Sequence, residues 1–186
     1  GTSAARELRP PSWEEDPSPS LALRDGRCAV ASTWAALLFD ASSGKEIASY
    51  QDHHSSNVTC VRFHPARPSL LVTGGDDGLL CVLDTTQRTE EETLRLALNV
   101  EESVRSVSFA GEGSDLLCSF STTEALQLWS LSERRFGERC GRLEALRTDS
   151  RLQVGDSDGN LLDVLYSDES GRAYVLAGSV EGKLLV

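Results

Sequence analysis

The 186-residue chain has no apolar run approaching the roughly 20 residues a helix needs to cross a bilayer. Its opening, GTSAARELRPPSWEEDPSPS, lacks the apolar centre of a secretory leader. Neither a spanning helix nor a cleaved leader is expected, and the composition suits a soluble intracellular protein of the cytoplasm or nucleus. Basic residues are also scarce: 18 Lys and Arg stand against 29 Asp and Glu, a formal charge of −11. Nucleic-acid binding depends on neutralising many phosphates with Lys and Arg, so no direct nucleic-acid contact is expected. The five cysteines, Cys28, Cys60, Cys81, Cys118 and Cys140, are odd in number and form no C-x-x-C pair, and only three histidines accompany them. That argues against a zinc site or a disulfide framework. Four of the five lie in apolar runs, where a free cysteine behaves as a small buried hydrophobe.

Catalytic patterns are missing as well. No Gly-x-Ser-x-Gly elbow occurs, and no nucleophile stands at a telling distance from His53, His54 or His64. Asp76 and Asp77 are adjacent, so at a strand end they point apart rather than flanking a bond as an acid and base pair must. The expectation is a chain that is not an enzyme and holds no cofactor or metal.

What is present is a succession of short apolar runs. Residues 1–20 hold four of the six prolines among serines and acids, the texture of a linker or tail, with Trp13 as its one large apolar group. Beyond it come CAVAS (28–32), AALLFD (35–40), EIASY (46–50), VTCVRF (58–63), LLVTG (70–74), LLCVLD (79–84), LRLALNV (94–100), VRSVSF (104–109), DLLCSF (115–120) and ALQLWS (125–130). Each has strand length, and Gly, Asp, Ser and Thr fill the gaps. The chain is predicted to be all-β. Residues 85–93 and 132–145 have room for a helical turn but no periodic apolar face.

The runs repeat. Val58-Thr-Cys-Val61-Arg-Phe63 and Val104-Arg-Ser-Val107-Ser-Phe109 share V-x-x-V-x-F, and the offset of 46 residues carries Leu71 onto Leu117 and Leu83-Asp84 onto Trp129-Ser130. Phe39-Asp40 precedes Leu83-Asp84 by 44 residues, and VLAGSVEGKLLV (175–186) follows the spacing of LVTGGDDGLLCV (71–82). Fixed-period strands with fixed turn chemistry signify stacked units. With His54, Val58, Val61, Phe63, Thr73, Gly74, Asp77, Gly78 and Asp84 in these positions, the chain resembles the WD-repeat family, whose units are four-stranded blades of a β-propeller. The resemblance implies blades at about 21–50, 54–100, 101–150 and 155–186. The last run stops one residue short of the position matching Leu83, so the expectation is an incomplete propeller, about four blades or partial blades of a longer ring, seven-bladed by the resemblance, with the remaining blades of its own full-length chain as neighbours.

The stretch GGDDG (74–78) is then a turn between second and third strands, with Gly78 at positive φ and Asp77 accepting local donors. A phosphate loop would need a following helix and a nearby Lys, and neither is there. Asp156-Ser-Asp158-Gly-Asn160 lacks the Gly and Glu of an EF-hand loop, with Leu161 and Ser167 in their places. The resemblance implies a buried relay of His54, Thr73 and Asp77 that ends on a third-strand Trp, yet Leu83 occupies that place. In the next unit Trp129 is present, but Thr123 and Val100 replace the Asp and His. Both relays are degenerate, and blades without a full relay are expected to be less rigid.

The family architecture implies a common rim for loops 52–57, 75–78, 101–103 and 121–124, on which His53, Asn57, Asp76, Glu101 and Glu102 are the candidate partner-facing residues. The negative charge suits a protein partner with a basic or polar surface. The functional expectation is a non-catalytic scaffold or adaptor within a larger complex. The alternative is a substrate receptor of a cullin-type ubiquitin ligase; receptors of that group carry Arg two residues after a blade's final Asp, where this chain has Ser42, Thr86 and Ser132.

Overall fold

The computed structural model describes residues 20–143, 160–178 and 184–185. Trp13 and the rest of the tail before residue 20, and the acidic connection with Asp156 and Asp158, lie outside the described residues. The strands form four antiparallel sheets, each a meander in chain order. The first holds β1 (Leu21–Arg24), β2 (Arg27–Ser32), β3 (Ala35–Asp40) and β4 (Glu46–Tyr50); the second holds β5 (Val58–Phe63), β6 (Leu70–Gly75), β7 (Leu79–Asp84) and β8 (Leu94–Asn99). The third is β9 (Val104–Ala110), β10 (Leu116–Ser121), β11 (Leu126–Ser130) and β12 (Arg139–Leu143), and the fourth is β13 (Asn160–Ser167), β14 (Arg172–Gly178) and β15 (Leu184–Leu185). The first strands of successive sheets pack side by side, β1 on β5, β5 on β9 and β9 on β13, so the sheets are blades fanned around their inner strands.

Two sequence readings need amendment. The segment 132–145 contributes a strand, β12, which pairs with β11 from Leu126 opposite Leu143 onward, because an edge position tolerates its polar side chains. Residues 85–93 do provide a helical turn, α1 (Glu90–Thr93). The strand β1 was masked in sequence by its shortness; Ala22 packs towards the second blade while Leu21 and Leu23 are exposed.

Packing explains why the runs are continuously apolar rather than alternating. Successive side chains of a strand point to opposite faces, and a blade between two others buries both. In β7, Leu80 and Val82 join Val72, Val104, Val107, Phe109, Leu117 and Trp129 between the second and third blades. Its alternate residues, Cys81 and Leu83, face Ala29, Ala31, Ala36 and Leu38 of the first blade. Leu80, Cys81, Val82 and Leu83 are all completely buried, each large aliphatic contributing roughly 2 kcal/mol by removal from water. Between the third and fourth blades lie Ala110, Cys118, Phe120, Leu126 and Val164. Cys28, Cys60, Cys81 and Cys118 are buried free thiols and Cys140 is exposed.

Candidate functional site

The β6–β7 turn holds the second blade's polar centre. His54 Nδ1 lies 3.1 and 3.2 Å from the two carboxylate oxygens of Asp77, and Nε2 lies 2.8 Å from the Thr73 hydroxyl. The carboxylate can only accept, so Nδ1 carries the proton and Nε2 accepts from Thr73. Backbone N–H groups of Ser55 and Leu79 also donate to Asp77, at 2.8 and 3.1 Å. Burial pushes the Asp77 carboxyl up, but the donors from Ser55, His54 and Leu79 outweigh it and hold the group below its ordinary range. The His54 and Asp77 side chains are 3% and 5% exposed.

Two glycines permit this. A Cβ on Gly75 would sit 2.6 Å from both Asp77 Oδ1 and His54 Nδ1, so the second glycine of GGDDG leaves the space the pair occupies. Gly78 has φ +76°, the left-handed region where other residues are strained. The sequence reading assigned a reason to Gly78 but not to Gly75, whose role lies in a contact with a residue far along the chain.

The third blade carries the complementary half. Trp129 Nε1 donates to Ser119 Oγ at 3.3 Å, the junction that Leu83 leaves unmade in the second blade. Where the family relay has His, Val100 offers its carbonyl to the Gln127 amide at 2.7 Å. Gln127 is fully buried and stands 46 residues beyond Cys81, whose thiol donates to the His53 carbonyl at 3.5 Å. An amide thus ties the third strand to the entering loop where no histidine is available.

The four rim loops form one hydrogen-bonded strip. Asn57 Nδ2 donates to Asp76 Oδ2 at 3.3 Å, and Ser103 Oγ to Asp76 Oδ1 at 2.7 Å. Thr123 Oγ1 donates to Glu102, while Arg142 bonds Glu101 at 2.8 Å and Glu102 at 3.0 Å. The hydroxyls of Ser121 and Thr123 hold the Glu102 carboxyl below its ordinary range. Asn57, Asp76 and Glu101 are exposed, whereas His53 and Glu102 are half-buried. His53 is less free than its sequence position suggested: Nε2 lies 3.1 Å from Thr93 Oγ1, and burial lowers its pKa.

Sequence reasoning missed Trp34. It lies 44 residues before Gly78, and Glu124 lies 46 after it, so the same turn slot recurs in three blades. All three adopt positive φ, +69° at Trp34, +76° at Gly78 and +65° at Glu124. The repeat offset could have revealed the match, but Trp was not an expected residue for a glycine slot.

The opposite ends of the strands carry a second polar knot. His64 is fully buried and accepts at Nδ1 from the backbone N–H groups of Ala66 and Arg67 at 3.1 and 3.0 Å. Arg67 Nη2 reaches Asp115 of the third blade at 2.8 Å, and Nη1 reaches the Leu131 carbonyl at 3.1 Å. Burial and then the Arg67 charge lower the His64 pKa to about 4. The slots two residues beyond each final Asp are also occupied structurally: Ser42 Oγ donates to Asp40 at 2.6 Å and Thr86 Oγ1 to Asp84 at 2.6 Å. Ser132 and Ser130 share a hydrogen bond of 2.8 Å.

Comparison with known proteins agrees with this architecture. Residues 44–84 match the family "WD domain, G-beta repeat". The chain is 33% identical over 96 residues to the WD repeat-containing protein 89 homolog of Dictyostelium discoideum, covering 52% of this chain and 27% of that protein. It is 28% identical over 118 residues to WD repeat-containing protein GTS1 of Arabidopsis thaliana, covering 63% and 30%. The chain therefore spans less than a third of either relative. A chain in the crystal structure of a mitotic checkpoint complex superposes with a TM-score of 0.63 at 17% identity, over 88% of this chain and 45% of that one. With its blade meanders, its Asp–His–Thr centre behind a Gly-Gly-Asp-Asp-Gly turn and these relatives, the chain carries a WD repeat at residues 44–84, is similar to WD-repeat proteins, and has the fold of a β-propeller.

Proposed function

We propose that the chain is a non-catalytic scaffold that docks another protein, with a basic or polar face, on the rim formed by loops 52–57, 75–78, 101–103 and 121–124, and that it works in the cytoplasm or nucleus as part of a larger complex. The observation that carries this reading is the continuous strip from Asn57 through Asp76 and Ser103 to Glu102 and Thr123. It fixes the exposed carboxylate of Asp76 and the half-buried one of Glu102, from two blades, in one register, and fixed groups cost less ordering entropy on association. A non-catalytic role is supported by the histidines, each engaged within the fold: His54 with Asp77, His53 with Thr93, His64 with Arg67. Free thiols suit a reducing compartment. The ligase-receptor alternative gains nothing from the slots after Asp40, Asp84 and Ser130, whose hydroxyls close local turns.

The test is co-purification at native salt with mass spectrometry, using the chain and a rim variant, Asp76→Asn with Glu101→Gln. Proteins held at fixed stoichiometry by the parent chain and released by the rim variant are the expected outcome. A chain that elutes alone, or partners indifferent to the rim change, would contradict the proposal.

A further inference from the structure

The turn slot shared by Trp34, Gly78 and Glu124 is filled in three different ways. Gly78 is buried, and a Cβ there would press to 3.3 Å against the Glu102 backbone. Glu124 folds inward and is only 7% exposed. Trp34 is 57% exposed, although a bulky side chain in the left-handed region is a steric outlier. A buried indole would be explained by packing, as Trp129 is; an exposed one receives little from its own fold. The second blade's slot abuts Glu101 and Glu102, and by the repeat Trp34 occupies the equivalent place beside loop 52–57. That loop runs through Asn57 to Asp76 and thence to Ser103.

Charge specifies the occupant. Asp52 and Asp76 are exposed, and the side chains that hydrogen-bond Asp76, Asn57 and Ser103, are neutral and do not offset its charge. Further along, one guanidinium, Arg142, lies against two carboxylates, Glu101 and Glu102. An exposed indole face at the end of an acidic strip fits a cation carried on a chain, since ammonium and guanidinium groups bind over indole faces. We propose that Trp34 is the anchor of the rim's docking site and that its occupant is a lysine- or arginine-bearing segment of another protein, which lays one cation over the indole and others along Asp52 and Asp76. This rests on the scaffold reading and specifies the partner's chemistry.

The test uses the whole chain and fluorescein-labelled peptides built from Arg-Gly-Lys-Gly repeats, with Ser-Gly-Gln-Gly and Glu-Gly-Gln-Gly repeats as controls, followed by fluorescence anisotropy. The basic peptide is expected to bind above both controls and to weaken with salt. Trp34→Gly, which relieves the turn, is expected to raise the melting temperature while lowering affinity about tenfold. Trp34→Leu keeps the backbone cost and removes the π face, and should lose affinity likewise. Equal binding by parent chain and both variants would overturn the anchor while leaving the rim scaffold intact. No preference for the basic peptide would overturn the partner chemistry, and the co-purification experiment then decides the scaffold reading separately.

Discussion

Replacing His54 by Ala isolates what half a relay contributes. The imidazole is 3% exposed and joins Asp77, 5% exposed, to Thr73. Its bond to a carboxylate belongs to the class with a net contribution of about 1.5–3 kcal/mol, and its bond to the Thr73 hydroxyl to the class near 1 kcal/mol. Asp77 keeps its Ser55 and Leu79 donors, so the carboxylate is not left bare and the total should stay near 3 kcal/mol. Thr73→Val removes a donor and leaves His54 Nε2 buried without one, costing about 1–2 kcal/mol. The single changes each delete the same His54–Thr73 bond, so the double variant should cost about 1 kcal/mol less than their sum. Urea titration followed by far-UV circular dichroism on the four proteins measures the cycle. A His54→Ala loss below about 0.5 kcal/mol, or additivity within about 0.3 kcal/mol, would refute the claim that the truncated relay still works as a unit.

Further outcomes follow from the same geometry. His64 has a folded pKa of about 4 against about 6.5 unfolded, so the unfolded chain binds its proton first, and stability is full above pH 6.5 and falls toward pH 4; about 2 kcal/mol should be lost between pH 7.5 and 5. In a His64→Asn variant, pH-dependent urea midpoints should lose that component. Trp129→Phe removes the 3.3 Å bond to Ser119 from an indole 6% exposed and should cost about 1–2 kcal/mol, less than His54→Ala, by the same titration. Opposite signs are expected at one slot in neighbouring blades: Gly78→Ala should destabilise by about 1–2 kcal/mol, and Trp34→Gly should stabilise by about 1 kcal/mol, both read as shifts in melting temperature.

Much of the fold was legible because burial of both blade faces leaves an unambiguous trace. Leu79 to Leu83 is apolar without a break, since Leu80 and Val82 meet one neighbour and Cys81 and Leu83 the other. Strand β12 left no such trace: Arg139 and Cys140 are exposed, so its pairing with β11 is a backbone matter invisible to hydrophobic pattern. At the site, His54, Thr73 and Asp77 could be named from repeat position alone, whereas the pairing of Arg142 with Glu101 and Glu102, which offsets one of their two charges, depends on a side chain about 40 residues away. Charge read along the sequence counts those carboxylates as free; charge read in space assigns a guanidinium to them.

The degenerate relays carry a further consequence for how the blades differ. In a full relay one chain of bonds links the turn Asp to the third-strand Trp. Here the second blade keeps the turn end, Asp77 to Thr73, and the third keeps the strand end, Ser119 to Trp129. The two halves fix different things. Asp77 and His54 lock the rim turn to the entering loop, where Asn57 and Asp76 stand, so the second blade holds rim geometry firmly. Trp129 and Ser119 lock the middle of the sheet, and the third blade's own rim turn relies instead on hydroxyl contacts among Ser121, Thr123 and Glu102. Thr123 is exposed and its bond to the half-buried Glu102 carboxylate competes with water, whereas the His54–Asp77 pair is shielded from it, so local opening should begin at 121–124 before 75–78. Hydrogen exchange that found the Asp77 turn opening first would contradict this order, and with it the view that the second blade is the firmer platform of the rim.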